Sequence, residues 1–383
     1  MILLYLIAFY IFIFNSINSL LENDFYNNRN KRAILKYNKY KWTKLPIKYY
    51  IKPGLQRDNI YYVIKNFMSE TCLTFIEDKN FKSEGLIFVN SSKSSTKLGK
   101  ISTRRPHYIY LTIMDNFKSN LIETLIFRAL GVDYEFNRPD RNKYIRIHKK
   151  YLNREYKHNL DTIRKKNVFT YNLHYDFKSK MQLSNNQVAF QNKTVFESIK
   201  KIYQNTLEFR SYPSFNDFKL VNFHYCKKTC NKNELKSECK NYGYQNPKDC
   251  SQCKCPSFFK GMYCENFKNI SKGNCETTEL LAKSYYKTLK FRSHSICSYI
   301  IKASVGKKIQ IKLPNGTLGN PYLCSFDLNL EIILTKDKSI SGAIFCDKVK
   351  KTIIKSEDNI IFVKWKYSRH NVTYSLQYKQ IKR

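Results

Sequence analysis

The sequence predicts three consecutive units: a mixed α+β domain, a small disulfide-rich module and an all-β sandwich. From Trp42 to Cys226, apolar residues alternate at strand spacing in some segments and recur at helical spacing in others. Eleven of the twelve cysteines follow residue 225, and the chain from Cys226 to Cys264 has no regular hydrophobic period. From Cys275 onward short strand-like runs predominate around the last four cysteines, which favours a disulfide-bonded β-sandwich.

Strands are predicted where apolar side chains alternate or where β-branched and aromatic residues cluster. In the first domain these segments are 46–51, 86–89 and 108–113. In the last unit they are 308–313, 328–334, 360–365 and 372–378.

Three helices are predicted in the first domain from apolar residues at helical spacing. The first carries Ile60, Val63, Ile64, Phe67 and Met68. The second is capped by Asn120 and ends at Gly131, because glycine adopts the left-handed conformation that stops a helix. Its apolar side consists of Leu121, Ile122, Leu125, Ile126 and Ala129. The third carries Phe196, Ile199, Tyr203 and Leu207.

The first 14 residues are almost wholly apolar, which is too short a run to span a bilayer but fits a secretory signal. We expect a signal peptide over residues 1–19 and an exported, extracellular protein without a membrane span. The twelve cysteines agree with an oxidising compartment. Five N-x-[ST] sequons predict glycosylation at Asn90, Asn192, Asn269, Asn315 and Asn371.

A basic run at residues 29–32 reads R-N-K-R, which matches a processing signal of the R-x-K-R type. Cleavage after Arg32 would release a short pro-segment, residues 20–32, and leave Ala33 as the new amino terminus. A chance basic run in a lysine-rich chain is the alternative.

The formal charge is 68 − 30 = +38. Such a charge attracts acidic polysaccharide, an anionic membrane surface or nucleic acid. The alternative is compositional bias, because the lysines are scattered along the chain. Export argues against a nucleic-acid partner.

Residues 124–141 read T-L-I-F-R-A-L-G-V-D-Y-E-F-N-R-P-D-R. This stretch resembles, without a gap, the signature H-E-x-x-H-A-L-G-x-x-H-E-x-x-R-P-D-R of the astacin family of zinc endopeptidases. The segments T-C-L-T-F at 71–75 and Y-N-L-H-Y at 171–175 extend the resemblance. It implies a metzincin-type, astacin-like α+β protease domain over residues 33–226. The identical signature positions are Ala129, Leu130, Gly131, Glu135, Arg138, Pro139, Asp140 and Arg141.

In that family two histidines one helical turn apart, and a third after the glycine, bind zinc, and a glutamate activates the metal-bound water. Here the three ligand positions are Thr124, Arg128 and Tyr134, and the base position is Leu125. Arginine is permanently cationic and leucine cannot carry a proton. We therefore predict no catalytic residue and no metal ligand, although the family's cofactor is zinc.

The resemblance makes two further pairs of positions informative. In the turn that lies beneath the metal, the family's methionine is Leu173, for which ordinary core packing is the alternative, and its tyrosine is kept as Tyr175. In processed astacins the new amino terminus reaches the glutamate that follows the third histidine. That glutamate is Glu135 here, and its expected partner is Ala33.

Arg128 has two possible roles at the former metal position. It pairs with a nearby acid such as Asp133 or Glu135, or it points to solvent in the cleft.

The cysteine spacing from residue 230 to 264 resembles an EGF-like module over 227–265, and residues 275–383 resemble a CUB-like domain. A zinc knuckle at Cys250 and Cys253 is the alternative for the first. The family patterns, together with the two cysteines of the protease-like domain, give the expected bridges Cys72–Cys226, Cys230–Cys250, Cys239–Cys253, Cys255–Cys264, Cys275–Cys297 and Cys324–Cys346.

Three functions are consistent with these residues. The first is a secreted, inactive astacin homologue that binds an extracellular protein or peptide, as a decoy or competitor. The second is a zinc metalloendopeptidase, which the resemblance implies. The third is a gene product without a maintained role.

Overall fold

The computed structural model describes residues 33–154, 156, 160, 162–191, 193–208, 212–231, 234–318, 329–367 and 372–382. The predicted signal peptide, pro-segment and basic processing run lie outside these residues. So do two of the predicted glycosylation sites, Asn192 and Asn371, and one predicted disulfide partner, Cys324.

The amino-terminal domain begins with a short strand and a five-stranded sheet. β1 (Ile34–Leu35) pairs with β8 (Val168–Phe169). The sheet has the order β3-β2-β4-β6-β5, and every pairing is parallel except that of the edge strand β5. Its strands are β2 (Ile47–Ile51), β3 (Phe75–Glu77), β4 (Leu86–Asn90), β5 (Ser95–Thr96) and β6 (His107–Leu111).

Two long helices pack with this sheet, and their apolar sides were the clearest helical signals in the sequence. α1 spans Arg57–Glu70 and buries Ile60, Val63, Ile64 and Phe67. α2 spans Ser119–Ala129. Both helices and the sheet share one apolar core, in which Phe67 and Phe127 meet edge to face with ring centroids 4.7 Å apart.

The second half of this domain has little regular structure. It contains β7 (Ile145–Ile147) paired with β9 (Phe196–Ser198), and the short helices α3 (Asn185–Val188) and α4 (Gln204–Leu207). It closes with α5 (Phe215–Tyr225), which begins at a capping box formed by Ser214 and Asp217.

Between residues 230 and 267 the chain forms two small hairpins held by disulfides. β10 (Tyr244–Asn246) pairs with β11 (Asp249–Lys254), and β12 (Phe259–Lys260) with β13 (Asn266–Phe267). The structure contains the bridges Cys72–Cys226, Cys230–Cys250, Cys239–Cys253, Cys255–Cys264 and Cys275–Cys297. The cysteine-dense segment is therefore disulfide-bonded, and Cys250 and Cys253 are not free to form a zinc knuckle.

The carboxyl-terminal unit is a sandwich of two sheets, with the small pair β18 (Gly316–Thr317) and β21 (Lys348–Val349) beside them. We call the five-stranded sheet, of order β14-β16-β23-β19-β20, the inner sheet, and the four-stranded sheet, of order β15-β24-β17-β22, the outer sheet. The inner strands are β14 (Glu279–Leu281), β16 (Ser295–Lys302), β19 (Asn329–Ile333), β20 (Ala343–Phe345) and β23 (Ile360–Tyr367). The outer strands are β15 (Lys287–Phe291), β17 (Lys308–Leu313), β22 (Thr352–Lys355) and β24 (Tyr374–Ile381).

The sandwich packs against the rest of the chain through its inner sheet. Thr206 of α4 donates to the carbonyl of Gly342 at 3.2 Å and accepts from the amide of Ile344 at 3.1 Å. His174 Nδ1 lies 2.6 Å from Asp337 Oδ2. None of the helices in the described part of the chain combines the length and apolar content that crossing a membrane requires.

Three details of the sequence prediction are wrong. Asn120 does not cap α2, because the helix already begins at Ser119 and the residue at the cap is Lys118. The helix predicted from Phe196 to Leu207 is instead β9, a 3₁₀ turn and α4, since the side chains of residues 196–198 alternate between core and surface in a strand. The helix α5 was not predicted from the sequence.

The contact between His174 and Asp337 joins the sandwich to the amino-terminal domain through a carboxyl group whose pKa is lowered. Burial alone raises the pKa of Asp337, but the hydrogen bonds from His174 and Ser339 outweigh it, and this pKa lies below its usual range. An aspartate of depressed pKa stabilises the fold above its unfolded pKa of about 3.9, and the contribution disappears as the pH falls through the folded pKa.

We therefore expect Asp337→Asn to lower the free energy of unfolding near neutral pH, with the difference from the unaltered chain disappearing as the pH falls through the depressed pKa of Asp337. Urea unfolding across this pH range measures it. His174→Gln in the Asp337→Asn background should add little, because the pair is already broken. If the stability of the unaltered chain and that of the Asp337→Asn variant changed equally with pH, the lowered pKa of Asp337 would be contradicted.

Candidate functional site

The helix α2 ends in a glycine-dependent stop that sets the geometry of the site. Gly131 has φ +90°. Its amide donates to the carbonyl of Arg128 at 2.8 Å, and the amide of Val132 donates to the carbonyl of Phe127 at 2.9 Å. This is the Schellman arrangement, in which a left-handed residue reverses the chain direction. The reversal returns residues 133–135 toward the last turn of the helix, as the sequence motif predicted.

The first two candidate positions, Thr124 and Leu125, lie on the side of α2 that borders the cleft. The hydroxyl of Thr124 donates within the helix to the carbonyl of Asn120 at 3.0 Å. Leu125 is buried and belongs to the apolar core shared with the sheet. Leu125 has no group that could accept a proton from a water in the cleft. The one polar group of the Thr124 side chain is a hydroxyl that already donates within the helix.

The next two positions, Arg128 and Tyr134, form a cluster with Asp133. Arg128 Nη1 lies 2.8 Å from Asp133 Oδ1, and the guanidinium carbon lies 4.4 Å from the centroid of the Tyr134 ring. Asp133 also accepts from the amide of Tyr134 at 2.8 Å and from Asn137 Nδ2 at 3.1 Å. Of the two alternatives for Arg128, pairing with an acid is the one that the structure contains, and the acid is Asp133.

The Tyr134 ring is fixed from both sides. Its other face stacks on Phe136, with ring centroids 5.0 Å apart and an interplanar angle of 12°. Burial raises the pKa of the phenol, although Arg128 opposes the shift. The phenol is therefore protonated at neutral pH, and Asp133 balances the positive charge of Arg128.

Behind the cleft, a fully buried arginine holds the segment that follows the helix. Arg138 makes a two-pronged contact with Asp140, with Nε–Oδ1 at 2.8 Å and Nη2–Oδ2 at 2.9 Å. Its guanidinium also lies 3.4 Å from Glu135 Oε1 and donates to the carbonyl of Leu173. Arg138 therefore connects the retained signature residues to the turn at residues 171–175.

That turn has the left-handed backbone of a tight reversal, with φ +47° at Tyr171 and +58° at Asn172. Leu173 is buried in the apolar core, as the core-packing alternative predicted. Tyr175 is also buried, donates to Gln182 Oε1 and stacks on Tyr144 at 4.8 Å between centroids. Its hydroxyl is thus engaged in the core and does not line the cleft.

Glu135 and Ala33 are both buried near the helix stop. Glu135 Oε1 accepts from the amide of Asp176 at 2.9 Å. The carbonyl of Ala33 accepts from the amide of Asp133 at 3.3 Å, and Ile34 pairs with Val132. The predicted amino terminus thus lies beside the segment that carries Glu135.

The donor set around the cleft does not fit a zinc ion. A zinc site needs neutral imidazoles, thiolates or carboxylates, and the side chain at the centre is a guanidinium held in an ion pair. Among the described residues, one group of three His, Cys, Asp or Glu side chains comes within metal-binding reach: Cys230, Glu234 and Cys250. Its two cysteines form a disulfide, so it is not a metal site either.

The cleft itself persists, with a volume of about 830 Å³. Its lining includes Thr124, Leu125, Arg128 and Tyr134, together with residues 92–96, which include the edge strand β5. The second half of the domain contributes Tyr156, Lys180, Leu183, Ser184, Gln187 and Glu208 to the lining. The substituted side chains therefore do not plug the space above the helix.

A buried ion pair at the cleft wall was missed by the sequence analysis. Lys180 Nζ lies 2.9 Å from Glu123 Oε2 and donates to Asn120 Oδ1 at 2.8 Å. Burial raises the pKa of Glu123, Lys180 opposes this, and Asp217 adds to it. The one available signal was Glu123 itself, an acid within the apolar run of α2.

We expect Arg128→Met and Asp133→Asn each to lower the free energy of unfolding by about 1–3 kcal/mol, because each leaves one partner of a largely buried pair without its counter-charge. The double variant should lose less than the sum of the two. A double-mutant cycle by denaturant unfolding measures the coupling. Additive losses would show that the two side chains do not stabilise each other.

The chain is similar in sequence to known zinc metalloproteinases. A model of the astacin peptidase family matches residues 34–226. Zinc metalloproteinase nas-34 of Caenorhabditis elegans is 29% identical over 367 residues, which cover 93% of this chain and 58% of that protein. Zinc metalloproteinase nas-23 of the same organism is 31% identical over 235 residues, which cover 59% of this chain and 43% of that protein. The chain thus spans about half the length of these curated relatives.

Among solved structures, high choriolytic enzyme 1, a hatching enzyme zinc-protease from Oryzias latipes (medaka fish), matches with 18% sequence identity and a TM-score of 0.43. The match covers 51% of this chain and 98% of that one. Since the family model itself covers residues 34–226, about half of the chain, the chain belongs to the astacin family.

Proposed function

We propose that this chain is a secreted, non-catalytic member of the astacin family that binds an extracellular protein or peptide segment in the retained cleft. The single observation that supports this most strongly is the Arg128–Asp133 ion pair. It puts a permanent cation, balanced by its own acid, where the family places a metal ligand.

The missing chemistry concerns both steps that hydrolysis of a peptide bond needs. The metal would polarise the carbonyl and activate water, and the base would remove a proton from that water. Leu125 cannot accept a proton, and loss of a general base alone reduces a rate by about 10²–10⁴-fold. With Thr124, Arg128 and Tyr134 at the ligand positions, the metal itself has no site.

The cleft is nevertheless suited to an extended peptide. Ser95 and Thr96 form the edge strand β5, which is paired with β6 on one side and borders the cleft. An edge strand offers backbone groups to a further strand. The lining of the cleft also includes the polar side chains Ser184, Gln187 and Glu208. A protein that binds here without cleaving acts as a decoy or competitor for active relatives.

Export and the carboxyl-terminal modules belong to the same proposal. The five disulfides are stable in an oxidising compartment. The hairpins of residues 227–265 are EGF-like in this proposal, and the sandwich of 275–383 is CUB-like. Three of the predicted glycosylation sites, Asn90, Asn269 and Asn315, are exposed, which their modification requires.

Metal analysis of the purified, processed full chain tests the proposal. We expect zinc far below one equivalent and no hydrolysis of protein substrates. The variant T124H/L125E/R128H/Y134H should gain stoichiometric zinc, because the helix stop that positions the third ligand is retained. The matched control T124H/Y134H leaves Arg128 in place and should gain none.

Stoichiometric zinc in the unaltered chain, with cleavage that a chelator abolishes, would falsify the proposal. It would support the alternative function, a zinc-dependent metalloendopeptidase acting on extracellular proteins, which the family membership favours. Capture of no extracellular protein or peptide by the full chain would favour the third hypothesis, a protein without a maintained role.

The Ala33–Glu135 pair gives a separate prediction. After cleavage following Arg32, the ammonium of Ala33 should pair with Glu135, and breaking a buried pair is costly. Mass spectrometry should find Ala33 at the amino terminus. Glu135→Gln should then cost more stability in the processed chain than in an uncleavable R32Q chain, because only the processed chain has the ammonium of Ala33 as a partner. The bond from the Asp176 amide to Glu135 is present in both chains and cancels in the comparison. Equal losses in the two chains would disprove the pair.

A further inference from the structure

The two sheets of the carboxyl-terminal sandwich have different surroundings. On the inner sheet, Ile300, Ile333 and Phe362 are buried against Phe258 and Phe259 of the disulfide-rich segment. The ring centroids of Phe258 and Phe362 lie 4.9 Å apart. The contacts of α4 with residues 342 and 344 cover the edge of the same sheet. The outer sheet is thus the sandwich layer that faces solvent.

The strand register of the outer sheet brings five lysines to its solvent face. Lys290 lies beside Ser375, Lys312 between Gln377 and Ile353, and Lys308 beside Ile381. Gln310 lies between Lys355 and Lys379. Adjacent strands are about 4.8 Å apart and alternate residues of one strand about 6.8 Å apart, so the ammonium groups form a two-dimensional array. We call Lys290, Lys308, Lys312, Lys355 and Lys379 the basic sheet face.

This charge is not neutralised within the described chain. The four strands read KTLKF, KIQIKL, TIIK and YSLQYKQI and contain neither Asp nor Glu. None of the five lysines forms an ion pair with a described acid. The acids that follow Lys355 in the sequence, Glu357 and Asp358, pair instead with Lys200 and Lys338.

Compositional bias supplies lysines but does not decide where the fold puts them. On the inner sheet, by contrast, Lys302 is paired with Glu279. On the outer sheet the alternation of the strands sends Ile309, Ile311 and Leu313 to the core and their lysine and glutamine neighbours to solvent. A positive surface whose strands carry no acid results.

We infer that the basic sheet face binds a linear anionic polysaccharide, of the sulfated or carboxylated class. The residues between the lysines are hydrogen-bonding side chains, Thr288, Ser375, Gln310 and Gln377, which suit sulfate and hydroxyl groups. A face of four strands, about 14 Å wide, suits an extended polymer that crosses the strands.

Two other polyanions fit this face less well. An anionic membrane is bound best when exposed apolar side chains insert among the lipids, and Ile353 is the one large apolar residue among the described residues of the face that is mostly exposed. Single-stranded nucleic acid is bound by stacking on aromatic rings. The adjacent ring, Tyr286, is covered by Lys379 at 4.6 Å and accepts a hydrogen bond from Gln310.

The test measures the affinity of the full processed chain for immobilised heparin at about 0.15 M salt, where exposed charges more than about 8 Å apart are largely screened. The face variant changes all five lysines to glutamine: K290Q/K308Q/K312Q/K355Q/K379Q. The control variant removes the same charge from exposed lysines of the amino-terminal domain: K44Q/K52Q/K65Q/K79Q/K82Q. Thermal unfolding of both variants confirms that the fold is unchanged.

We expect the face variant to bind heparin at least about tenfold more weakly than the unaltered chain, and the control variant to change less than about twofold. Equal weakening in both variants would show a non-specific effect of net charge and overturn the inference. So would tighter binding to vesicles of phosphatidylserine and phosphatidylcholine, or to a single-stranded oligonucleotide, than to heparin. Because this face and the cleft have no residue in common, the zinc test and the heparin test can fail independently.

Discussion

The buried guanidinium of Arg138 is the interaction on which the architecture around the cleft depends. Its side chain is 0% exposed, so each of its donors must be satisfied within the protein. Asp140, Glu135 and the carbonyl of Leu173 supply the acceptors. This set ties the segment after the helix stop to the turn beneath it, and removal of any one partner would leave a buried charge only partly compensated.

The contacts of Arg128 explain how the fold persists although the histidine ligands of a metal are absent from the sequence. In a metalloenzyme the ion itself joins the helix to the chain that returns after the glycine. Here Arg128 and Asp133 make that connection with a 2.8 Å ion pair, and Tyr134 supports the guanidinium with its ring. The substitutions at the ligand positions are therefore not independent losses. Two of them, at Arg128 and Tyr134, form contacts with each other and replace the cross-link that a metal would provide.

The carboxyl-terminal modules extend this argument to the whole chain. The sandwich buries one face of its inner sheet against the disulfide-rich hairpins and contacts the astacin-like domain at Thr206 and His174. One sheet is thus used for packing, which leaves the other for interaction. A cleft on the first domain and a basic face on the last are two separate surfaces.

The sequence by itself determined the order of the three units, the apolar sides of the two long helices, the stop at Gly131 and the absence of imidazoles at the ligand positions. These follow from local periodicity, the conformational freedom of glycine and residue chemistry at fixed spacing. The sequence could not place the segment from Phe196 to Leu207, because apolar residues three to four apart suit a helix and also a strand followed by turns. Only the tertiary structure decided that Asp133 is the partner of Arg128, that the cleft is open and that the lysines of the outer sheet share one face. Each of these depends on which strands and turns lie side by side, and that is fixed by long-range packing rather than by neighbours in the chain.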